Sequence, residues 1–333
     1  MRHRTDIEVK VAAVDGKTSL VLVRTPFQAW LVERVIKAEG VTSFDLLYFT
    51  QSDSSEDRFY YERLAKRARA ARFIHVPRQA RDFFNHVRFA LASWPFMFGK
   101  RYDATFVSSI DSFVLNAMAL RKSAGELVTF DDGTANYNQA GVYFHDNASL
   151  RSGLYRYLFR SKPLSETREK IERHYTIHPN LENIVDEGRL HAIPGWTADS
   201  IAKEKSKILR SYFIGGPFNE VLDSRKINLL ESHVKNVGVD MYVRHPREIQ
   251  PLNLGVSFLE KQGKIAEEAI LEDAGGRSIV LVGFLSSVMF NLASCAERRI
   301  IFVPRGSQRH ASLVELARKS GCEIILLDET HER

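Results

Sequence analysis

Cysteines and long apolar runs are both scarce in this chain of 333 residues. Its two cysteines, Cys295 and Cys322, each lie in an apolar or strand-like stretch, which excludes a disulfide framework and a cysteine-based zinc cluster. We expect both to be buried thiols. No apolar run approaches the roughly 20 residues that a membrane-spanning helix needs, and the first residues lack the apolar core of a signal peptide. These absences predict a cytoplasmic protein.

Glycine-rich phosphate-binding loops are also missing. The chain has no Gly-x-Gly-x-x-Gly motif and no Walker loop, so ordinary dinucleotide and ATP sites lose support. It has no Asp-x-Asp motif, and its histidines and carboxylates show no metal-ligand spacing, so we expect neither a metal nor a cofactor. What the chain does contain is 44% hydrophobic residues, ample for the packed cores of the two domains that its length predicts.

The formal net charge of +6 is concentrated in one stretch. Residues 62–101 hold ten basic and two acidic residues, Arg81 and Arg88 among the basic ones, and aromatic side chains crowd residues 83–98 and 154–160. A surface of this composition suits an anionic membrane, which indicates peripheral contact with the inner face of the cytoplasmic membrane. A solvated basic face over core aromatics explains the same pattern, so both interpretations stay open.

Apolar strand-like runs alternate with stretches of helical spacing in both halves of the chain. That alternation predicts a parallel sheet in each half, and therefore two Rossmann-like domains facing a cleft. We expect a flexible tail at 1–17, an N-terminal domain at 18–205 and a C-terminal domain at 206–333. A polar segment at about 146–186, without clear strands, is predicted to be a helical insertion or a lid. The predicted strands are residues 19–23, 44–49, 72–76, 104–107, 127–130, 210–214, 239–243, 279–282, 299–303 and 323–327.

Short polar motifs follow several of these runs. The stretch Met241-Tyr-Val-Arg-His-Pro-Arg-Glu248 places a histidine and two arginines beyond an apolar run, and such donors suit a phosphate. Because ligands bind beyond the carboxyl ends of parallel strands, we predict that these motifs line one site. Each motif alone has an ordinary explanation as a turn or a helix cap. The motifs are Thr25-Pro26, Asp131-Asp132-Gly133, Gly215-Gly216-Pro217, His245-Pro246 and Ser286-Ser287, with His178-Pro179 as a second His-Pro pair.

The order of these motifs along residues 18–305 resembles the bacterial lipooligosaccharide sialyltransferase family. Further matches are Phe59-Tyr-Tyr-Glu-Arg-Leu64, His174-Tyr-Thr-Ile177 and Ile265-Ala-Glu-Glu-Ala-Ile-Leu271. The resemblance implies the two-domain GT-B architecture of sugar-nucleotide transferases. It also implies an inverting, metal-independent transfer of sialic acid from the donor substrate CMP-sialic acid to a terminal galactose of a surface glycan or glycolipid.

Sialyl transfer requires stabilisation of the departing CMP phosphate. We expect a protonated His245 to donate to that phosphate, and Ser286 and Ser287 to add hydroxyl and helix N-terminal donors. Arg247 is either a phosphate ligand or, as we prefer, an ion-pair partner of Glu248. By resemblance, Glu267 accepts hydrogen bonds from the cytidine ribose or base. Gln28, just past Thr25-Pro26, is expected to reach the donor sugar or the acceptor.

The reaction also needs a base that takes the proton of the attacking hydroxyl. Asp131 is our first choice for this base, because the neighbouring carboxylate of Asp132 can raise its pKa. Asp132 would then hold the turn at Gly133. The alternative is that both aspartates only cap that turn. Members of the family carry an acidic residue soon after the glycine-proline turn, and this chain departs from the pattern with Phe218 after Pro217. That departure leaves Glu220 and Asp223 as further candidates.

Two other functions and one assembly question remain open from the sequence. A relative using another nucleotide sugar, such as a glucosyl donor, would carry the same motifs. A basic nucleic-acid-binding protein fits the isoelectric point near 9.2, although no nucleic-acid module is recognisable and we expect no such partner. A homodimer is compatible with the sequence.

Overall fold

The computed structural model describes residues 18–77, 82–97, 100–122, 124–197, 206–304 and 311–327. The chain divides into two compact units between Ile193 and Pro194. The predicted tail at 1–17 lies outside the described residues, and the predicted domain boundary between residues 205 and 206 stays a prediction. Cys295 and Cys322 are both buried, as expected, and form no disulfide.

The N-terminal unit is built on a seven-stranded parallel sheet with the strand order β3-β2-β1-β4-β5-β6-β7. Its strands are β1 (Ser19–Val23), β2 (Phe44–Thr50), β3 (Ala70–His75), β4 (Ala104–Val107), β5 (Glu126–Phe130), β6 (Ile171–Thr176) and β7 (Leu190–Ala192). Its helices are α1 (Pro26–Ala38), α2 (Ser55–Ala65), α3 (Asp82–Met97), α4 (Phe113–Ala119), α5 (Leu150–Phe159) and α6 (Leu164–Glu169).

The central strands of this sheet are buried along their whole length. All five residues of β1 and all seven of β2 are buried, because helices cover both faces of a parallel sheet. Local signals fix where the helices begin. Thr25 caps α1 and accepts a hydrogen bond from the amide of Gln28, with Pro26 at the first helical position. The predicted strands of this half are all present, within a few residues of their expected ends.

The segment predicted as a strandless helical insertion is different in the structure. It contains α5 and α6 but then supplies β6, which pairs in parallel with β5. The prediction missed β6 because two of its buried positions, His174 and Thr176, are polar, which removes the apolar run expected of a covered strand. Their side chains hydrogen-bond to Thr129 and Asp131 of the neighbouring strand and its end. The strand is therefore stabilised by polar contacts that sequence patterning does not display.

The C-terminal unit is a six-stranded parallel sheet with the order β10-β9-β8-β11-β12-β13. Its strands are β8 (Ser206–Ile214), β9 (Met241–Val243), β10 (Ser257–Phe258), β11 (Arg277–Gly283), β12 (Ala296–Pro304) and β13 (Glu323–Leu327). Its helices are α7 (Phe218–Val221), α8 (Ser224–Val237), α9 (Ala266–Ala274), α10 (Ser287–Asn291) and α11 (Ala311–Lys319). The predicted fold class of two Rossmann-like domains is confirmed.

Two glycines allow close approach at the carboxyl ends of this second sheet. A Cβ at Gly283 would lie 2.8 Å from the carbonyl oxygen of Ile214 on the neighbouring strand. A Cβ at Gly215 would lie 2.9 Å from the ring of Tyr242 and 3.0 Å from the carboxylate of Glu248. The contacts of 2.8 Å and 2.9 Å are shorter than side-chain packing tolerates, so these strand ends require glycine.

Within the described ranges, no helix is both long and apolar enough to cross a bilayer.

Candidate functional site

In the C-terminal unit, three predicted motifs follow three strands that are neighbours in the sheet. The order β9-β8-β11 brings together the carboxyl ends that precede His245, Gly215 and Ser286. The amide of Gly215 donates a hydrogen bond of 2.9 Å to the carbonyl oxygen of Val243, which joins the loops after β8 and β9. This edge of the sheet is where an α/β fold binds ligands, so the three motifs form one candidate half-site.

His245 is half-buried at this edge and is held in one orientation. Its Nδ1 accepts a hydrogen bond of 3.1 Å from the backbone amide of Arg247. An accepting Nδ1 leaves the proton of the neutral ring on Nε2, which is then a donor. Burial, together with the charges of Arg247 and Lys261, lowers the pKa of His245 to about 4. The imidazole is therefore neutral at pH 7 in the ligand-free protein, and its protonation beside a bound phosphate stays a prediction.

Arg247 pairs with a different carboxylate from the one predicted. Its Nη1 lies 3.1 Å from Oε2 of Glu220, whereas Glu248 is buried and accepts a hydrogen bond from the hydroxyl of Tyr242. Arg244 lies 3.9 Å from Glu248. The preferred Arg247–Glu248 ion pair is thus wrong, because the Glu248 side chain turns into the core toward Tyr242. Glu220, a candidate base, is engaged by a cation.

The serine pair lies where β11 passes into α10. Ser286 is the N-cap residue and half-buried, and in the described structure its hydroxyl makes no capping hydrogen bond; Ser287 opens the helix. Glu267 in α9 is buried and accepts a hydrogen bond of 2.7 Å from Nδ2 of Asn291 in α10. Burial raises the pKa of Glu267 against the opposing effect of that hydrogen bond. Glu267 therefore ties α9 to the short helix that carries Ser287, and its predicted contact with cytidine stays a prediction.

Asp131, at the end of β5 in the N-terminal unit, is fully buried. Its carboxylate accepts hydrogen bonds from Thr176 (2.8 Å) and the amide of Ile177 (3.1 Å), and lies 3.1 Å from Nε2 of His174. Burial by itself would raise the pKa of Asp131, but the contacts with His174, Tyr137 and Thr176 outweigh it and lower the pKa. The predicted raised pKa is wrong, since the side chain faces β6 rather than a second carboxylate.

Asp132 points into a different network, which connects the ends of β1, β4 and β5. Its carboxylate accepts hydrogen bonds from Gln28 Nε2 (2.6 Å), Tyr143 Oη (2.8 Å) and Ser109 Oγ (3.2 Å). Gln28 is itself buried, and its Oε1 accepts from the amide of Arg24 at 2.7 Å. The structure therefore gives Gln28 a positioning function toward Asp132. Asp132 remains half-buried, in contrast to its neighbour.

Gly133, Asp223 and His178 are three further sequence-predicted positions. Gly133 has φ of 58°, a left-handed conformation that suits glycine, and begins a 3-10 turn at residues 133–136. Asp223 caps α8, accepting from the amide of Lys226 at 2.9 Å. His178 packs edge-on against Tyr137, with ring centroids 5.2 Å apart, and its backbone amide donates to Thr176. His178 therefore belongs to the packing around Asp131.

Three residues of the N-terminal half-site were not identified from the sequence: Ser109, Asp111 and Tyr143. Asp111 follows β4, lies 3.2 Å from the hydroxyl of Tyr143 and is 3.9 Å from Arg24. The Asp111 side chain is 37% exposed, and its partial loss of hydration, with the nearby Asp132 carboxylate, raises its pKa against the opposing charge of Arg24. The polar run after β4 could have indicated Ser109 and Asp111 as site residues. Tyr143 lies in a loop, and no sequence pattern marks it as a site residue.

Among the residues that the structure describes, no group of three or more histidines, cysteines or carboxylates is arranged to hold a metal ion.

We predict that Asp131→Asn lowers the free energy of unfolding by about 1.5–3 kcal/mol, because hydrogen bonds to a charged group are lost in a buried place. Since the folded-state pKa of Asp131 lies below 3.8, the difference from wild type should persist above that pH and shrink as pH falls through the folded-state pKa. Urea unfolding at pH 7 and pH 3 measures both. Asp186→Asn, at an exposed ion pair with Arg189, is the control and should change stability by less than about 1 kcal/mol; equal losses would contradict the assignment.

Comparison with known proteins finds relatives that cover most of the chain. A "CMP-N-acetylneuraminate:beta-galactoside alpha-2,3-sialyltransferase" of Pasteurella multocida is 28% identical over 278 residues, covering 82% of this chain and 87% of the relative. An "N-acetyllactosaminide alpha-2,3-sialyltransferase" of Haemophilus influenzae is 24% identical over 303 residues, covering 86% and 91%. Among solved structures, LpCGTa in complex with UDP is similar in fold, with a TM-score of 0.53 at 11% identity over 93% of this chain and 84% of that chain.

The resemblance to bacterial sialyltransferases is thereby confirmed, and the two-domain GT-B class with it. The family model described as glycosyltransferase family 52 matches residues 45–305 and spans every site motif from Asp131 to Ser287. The chain belongs to glycosyltransferase family 52.

Proposed function

We propose that this glycosyltransferase moves sialic acid from CMP-sialic acid to a terminal galactose of a lipooligosaccharide or related surface glycan. The observation that carries the proposal is the convergence of His245, Gly215 and Ser286 at the ends of three adjacent strands. Sialyltransferase relatives at 24–28% identity over most of the chain favour CMP-sialic acid over a UDP-sugar donor.

The proposed reaction is a single displacement with inversion at the anomeric carbon. The acceptor hydroxyl oxygen forms the new glycosidic bond as the bond between that carbon and the CMP phosphate oxygen breaks. The electron pair of the breaking bond remains on the phosphate, and the hydroxyl proton goes to a carboxylate base. Negative charge therefore grows on the phosphate, and preorganised donors aimed at it lower the barrier.

His245 is the principal donor in this proposal. Its ring is oriented by the Arg247 amide so that Nε2 carries a proton, and a bound phosphate would raise its low pKa. Ser286 and Ser287 add hydroxyl donors where α10 begins. Because these groups are donors to the departing phosphate, we propose transfer without a metal or other cofactor.

Asp132 is the proposed base. Asp131 is fully buried with a lowered pKa, Glu220 is paired with Arg247, and Asp223 is bound to its helix and to Lys226 at 3.0 Å. Asp132 is the carboxylate that is half-exposed and also held in place by three side chains. A base fixed in this way can accept a proton from an oriented hydroxyl.

We predict that His245→Ala reduces turnover by about 10²–10³-fold, because a donor to the developing phosphate charge is lost. The melting temperature should change little, since His245 is half-buried at a loop. Release of CMP from CMP-sialic acid with lactose as acceptor provides the measurement. His178→Ala is the matched His-Pro control and should keep near wild-type turnover. Equal losses in the two variants, or stabilisation of the wild type by UDP but not by CMP, would contradict the proposal.

For the base, Asp132→Asn should lower turnover by about 10²-fold or more while leaving CMP affinity close to wild type. Calorimetric titration with CMP and initial rates at a temperature well below the melting point separate the two effects. Glu220→Gln and Asp223→Asn serve as the parallel variants. Full activity of Asp132→Asn, with loss of transfer but intact CMP binding in either parallel variant, would move the base to the C-terminal unit.

Peripheral membrane contact is the remaining part of the proposal, and it rests on a surface of α3 and α5. The two helices meet where the ring of Phe83 lies 5.9 Å from that of Tyr155. Arg88 and Arg160 are exposed beside the apolar residues, whereas Arg81 lies outside the described residues. Exposed apolar side chains flanked by cations suit an anionic bilayer. This α3–α5 surface comprises Phe84, Leu91, Trp94, Leu150, Leu154, Tyr157 and Leu158, all exposed.

We predict that Arg88→Glu combined with Arg160→Glu weakens binding to phosphatidylglycerol vesicles by at least about tenfold, since each surface cation contributes about 1 kcal/mol. Vesicle co-sedimentation at physiological salt is the measurement. Activity on soluble lactose should persist. Reversal of Arg318 and Lys319, which are exposed on α11, is the charge-matched control. Unchanged vesicle binding in the α3–α5 variant would favour a solvated basic face.

A further inference from the structure

A cavity of about 700 Å³ lies within the N-terminal unit. It is lined by α4, α5 and the loops around residues 110–111 and 140–149. Its volume is within the range of small-molecule sites, about 300–1,000 Å³. Asp111 lines it, and the hydroxyl of Tyr143 lies between Asp111 and Asp132. The cavity therefore adjoins the proposed base within the same unit.

The charged side chains in and beside the cavity wall balance one another. Lys162 is 3.1 Å from Glu166, and Arg156 holds the carbonyl of Asn147 at 2.9 Å. A charged ligand would bring a charge without a partner into this wall, which is costly, whereas a neutral ligand would not. The wall therefore suits an uncharged polar molecule. The cations are Arg151, Arg156 and Lys162, and the carboxylates are Asp111, Asp146 and Glu166.

Asp111 can accept further hydrogen bonds from a ligand in this cavity. Among the described residues, its carboxylate contacts the hydroxyl of Tyr143 at 3.2 Å, Arg24 at 3.9 Å and its own backbone amide. An ionised carboxylate has about four acceptor sites, so these contacts do not use all of them. The side chain is also 37% exposed, so a ligand can reach it.

The hydroxyl of Tyr143 is shared between two carboxylates. It lies 2.8 Å from Oδ2 of Asp132 and 3.2 Å from Oδ1 of Asp111. A phenol has a single O–H, so it donates to one of them at a time, and the shorter contact assigns that hydrogen bond to Asp132. Asp132 also accepts from Gln28 and Ser109. Asp111 is therefore the carboxylate of this pair that receives fewer donors from the protein.

Two neighbouring hydroxyls of a sugar ring fit this pair of carboxylates. Because one oxygen, Oη of Tyr143, is within hydrogen-bond distance of both, Asp111 and Asp132 are close enough to receive adjacent hydroxyls, one each. The rings of Phe113 and Tyr155, 5.5 Å apart, line the same cavity and offer apolar surface to the C–H groups of a sugar.

We propose that Asp111 determines acceptor specificity by accepting a hydrogen bond from the hydroxyl adjacent to the attacking one, with the rest of a neutral sugar in the cavity. The inference rests on the proposed function, in which Asp132 takes the proton of the attacking hydroxyl. It deepens that function by naming the feature of the acceptor that is recognised, a vicinal diol. An acceptor without the adjacent hydroxyl leaves Asp111 without its donor, and such sites reject analogues of this kind strongly.

The test measures binding of lactose and of 2′-deoxylactose, 3′-deoxylactose and 4′-deoxylactose to the full chain by ligand-observed NMR titration. Wild type should bind an analogue without the adjacent hydroxyl at least about tenfold more weakly than lactose. In Asp111→Ala, lactose and that same analogue should bind within about threefold of each other, because the carboxylate that distinguishes them is gone. Asp111→Asn keeps one acceptor oxygen and should show intermediate discrimination. Melting temperatures should stay close to wild type.

Asp146→Asn is the matched control. Asp146 also lines the cavity, but its carboxylate is committed to the start of α6, where it accepts from the Leu164 amide at 2.6 Å and the Ser165 hydroxyl at 2.5 Å. This variant should discriminate between lactose and the analogue as wild type does. Equal losses of discrimination in Asp111→Ala and Asp146→Asn would overturn the inference. Unchanged discrimination in Asp111→Ala, or a wild type that binds none of the four sugars, would overturn it as well.

Transfer assays with CMP-sialic acid separate this inference from the proposed function. A wild type that discriminates through Asp111 in binding but transfers no sialic acid to lactose refutes the proposed function and retains the cavity assignment. Active transfer to lactose, with the discrimination unchanged in Asp111→Ala, retains the proposed function and refutes the assignment of Asp111.

Discussion

The buried carboxylate of Asp131 is the interaction on which the N-terminal half-site depends. It accepts from Thr176 and Ile177 and contacts His174, so it joins the end of β5 to β6 without any exposure to solvent. A buried carboxylate is tolerated only when such partners compensate for its lost hydration. Because this side chain is fixed toward β6, the chain turns at Gly133 and the next side chain, Asp132, enters a separate network. Two adjacent aspartates thereby lie in separate hydrogen-bond networks, one fully buried and the other half-exposed.

In both units, short contacts hold the loops that follow the strands. In the N-terminal unit these contacts are made by side chains, since Gln28 from α1 and Ser109 after β4 both hydrogen-bond to Asp132. In the C-terminal unit, backbone contact does so, with Gly215 bonded to Val243 and Gly283 packed against Ile214. The first solution sets the position of a carboxylate and the second the position of an imidazole. The proposed stabilisation of a developing charge requires groups that are held in place in this way.

The sequence predicted the sheet architecture well because most strands here are short apolar runs buried on both faces. It missed β6 because His174 and Thr176 are polar core residues whose partners lie on another strand, and it missed β7 and β10, which have only three and two residues. The motifs at strand ends were found, since their residue types are unusual there. The sequence did not predict which side chains would pair. Arg247 pairs with Glu220 rather than with its chain neighbour Glu248, and Tyr143 donates a hydrogen bond to Asp132 from a loop. Those contacts depend on tertiary geometry that local spacing does not encode.

The amide of Arg247 that binds Nδ1 of His245 has a consequence for inhibitor chemistry. It commits the ring to one tautomer, so the neutral imidazole offers Nε2 to a ligand as a donor and not as an acceptor. A neutral sulfone or an amide carbonyl directed at Nε2 would accept this hydrogen bond, because both present acceptor oxygens. An amine or a hydroxamic acid N–H directed at the same atom would meet another N–H. For an uncharged ligand at this atom, an acceptor is therefore favoured over a donor.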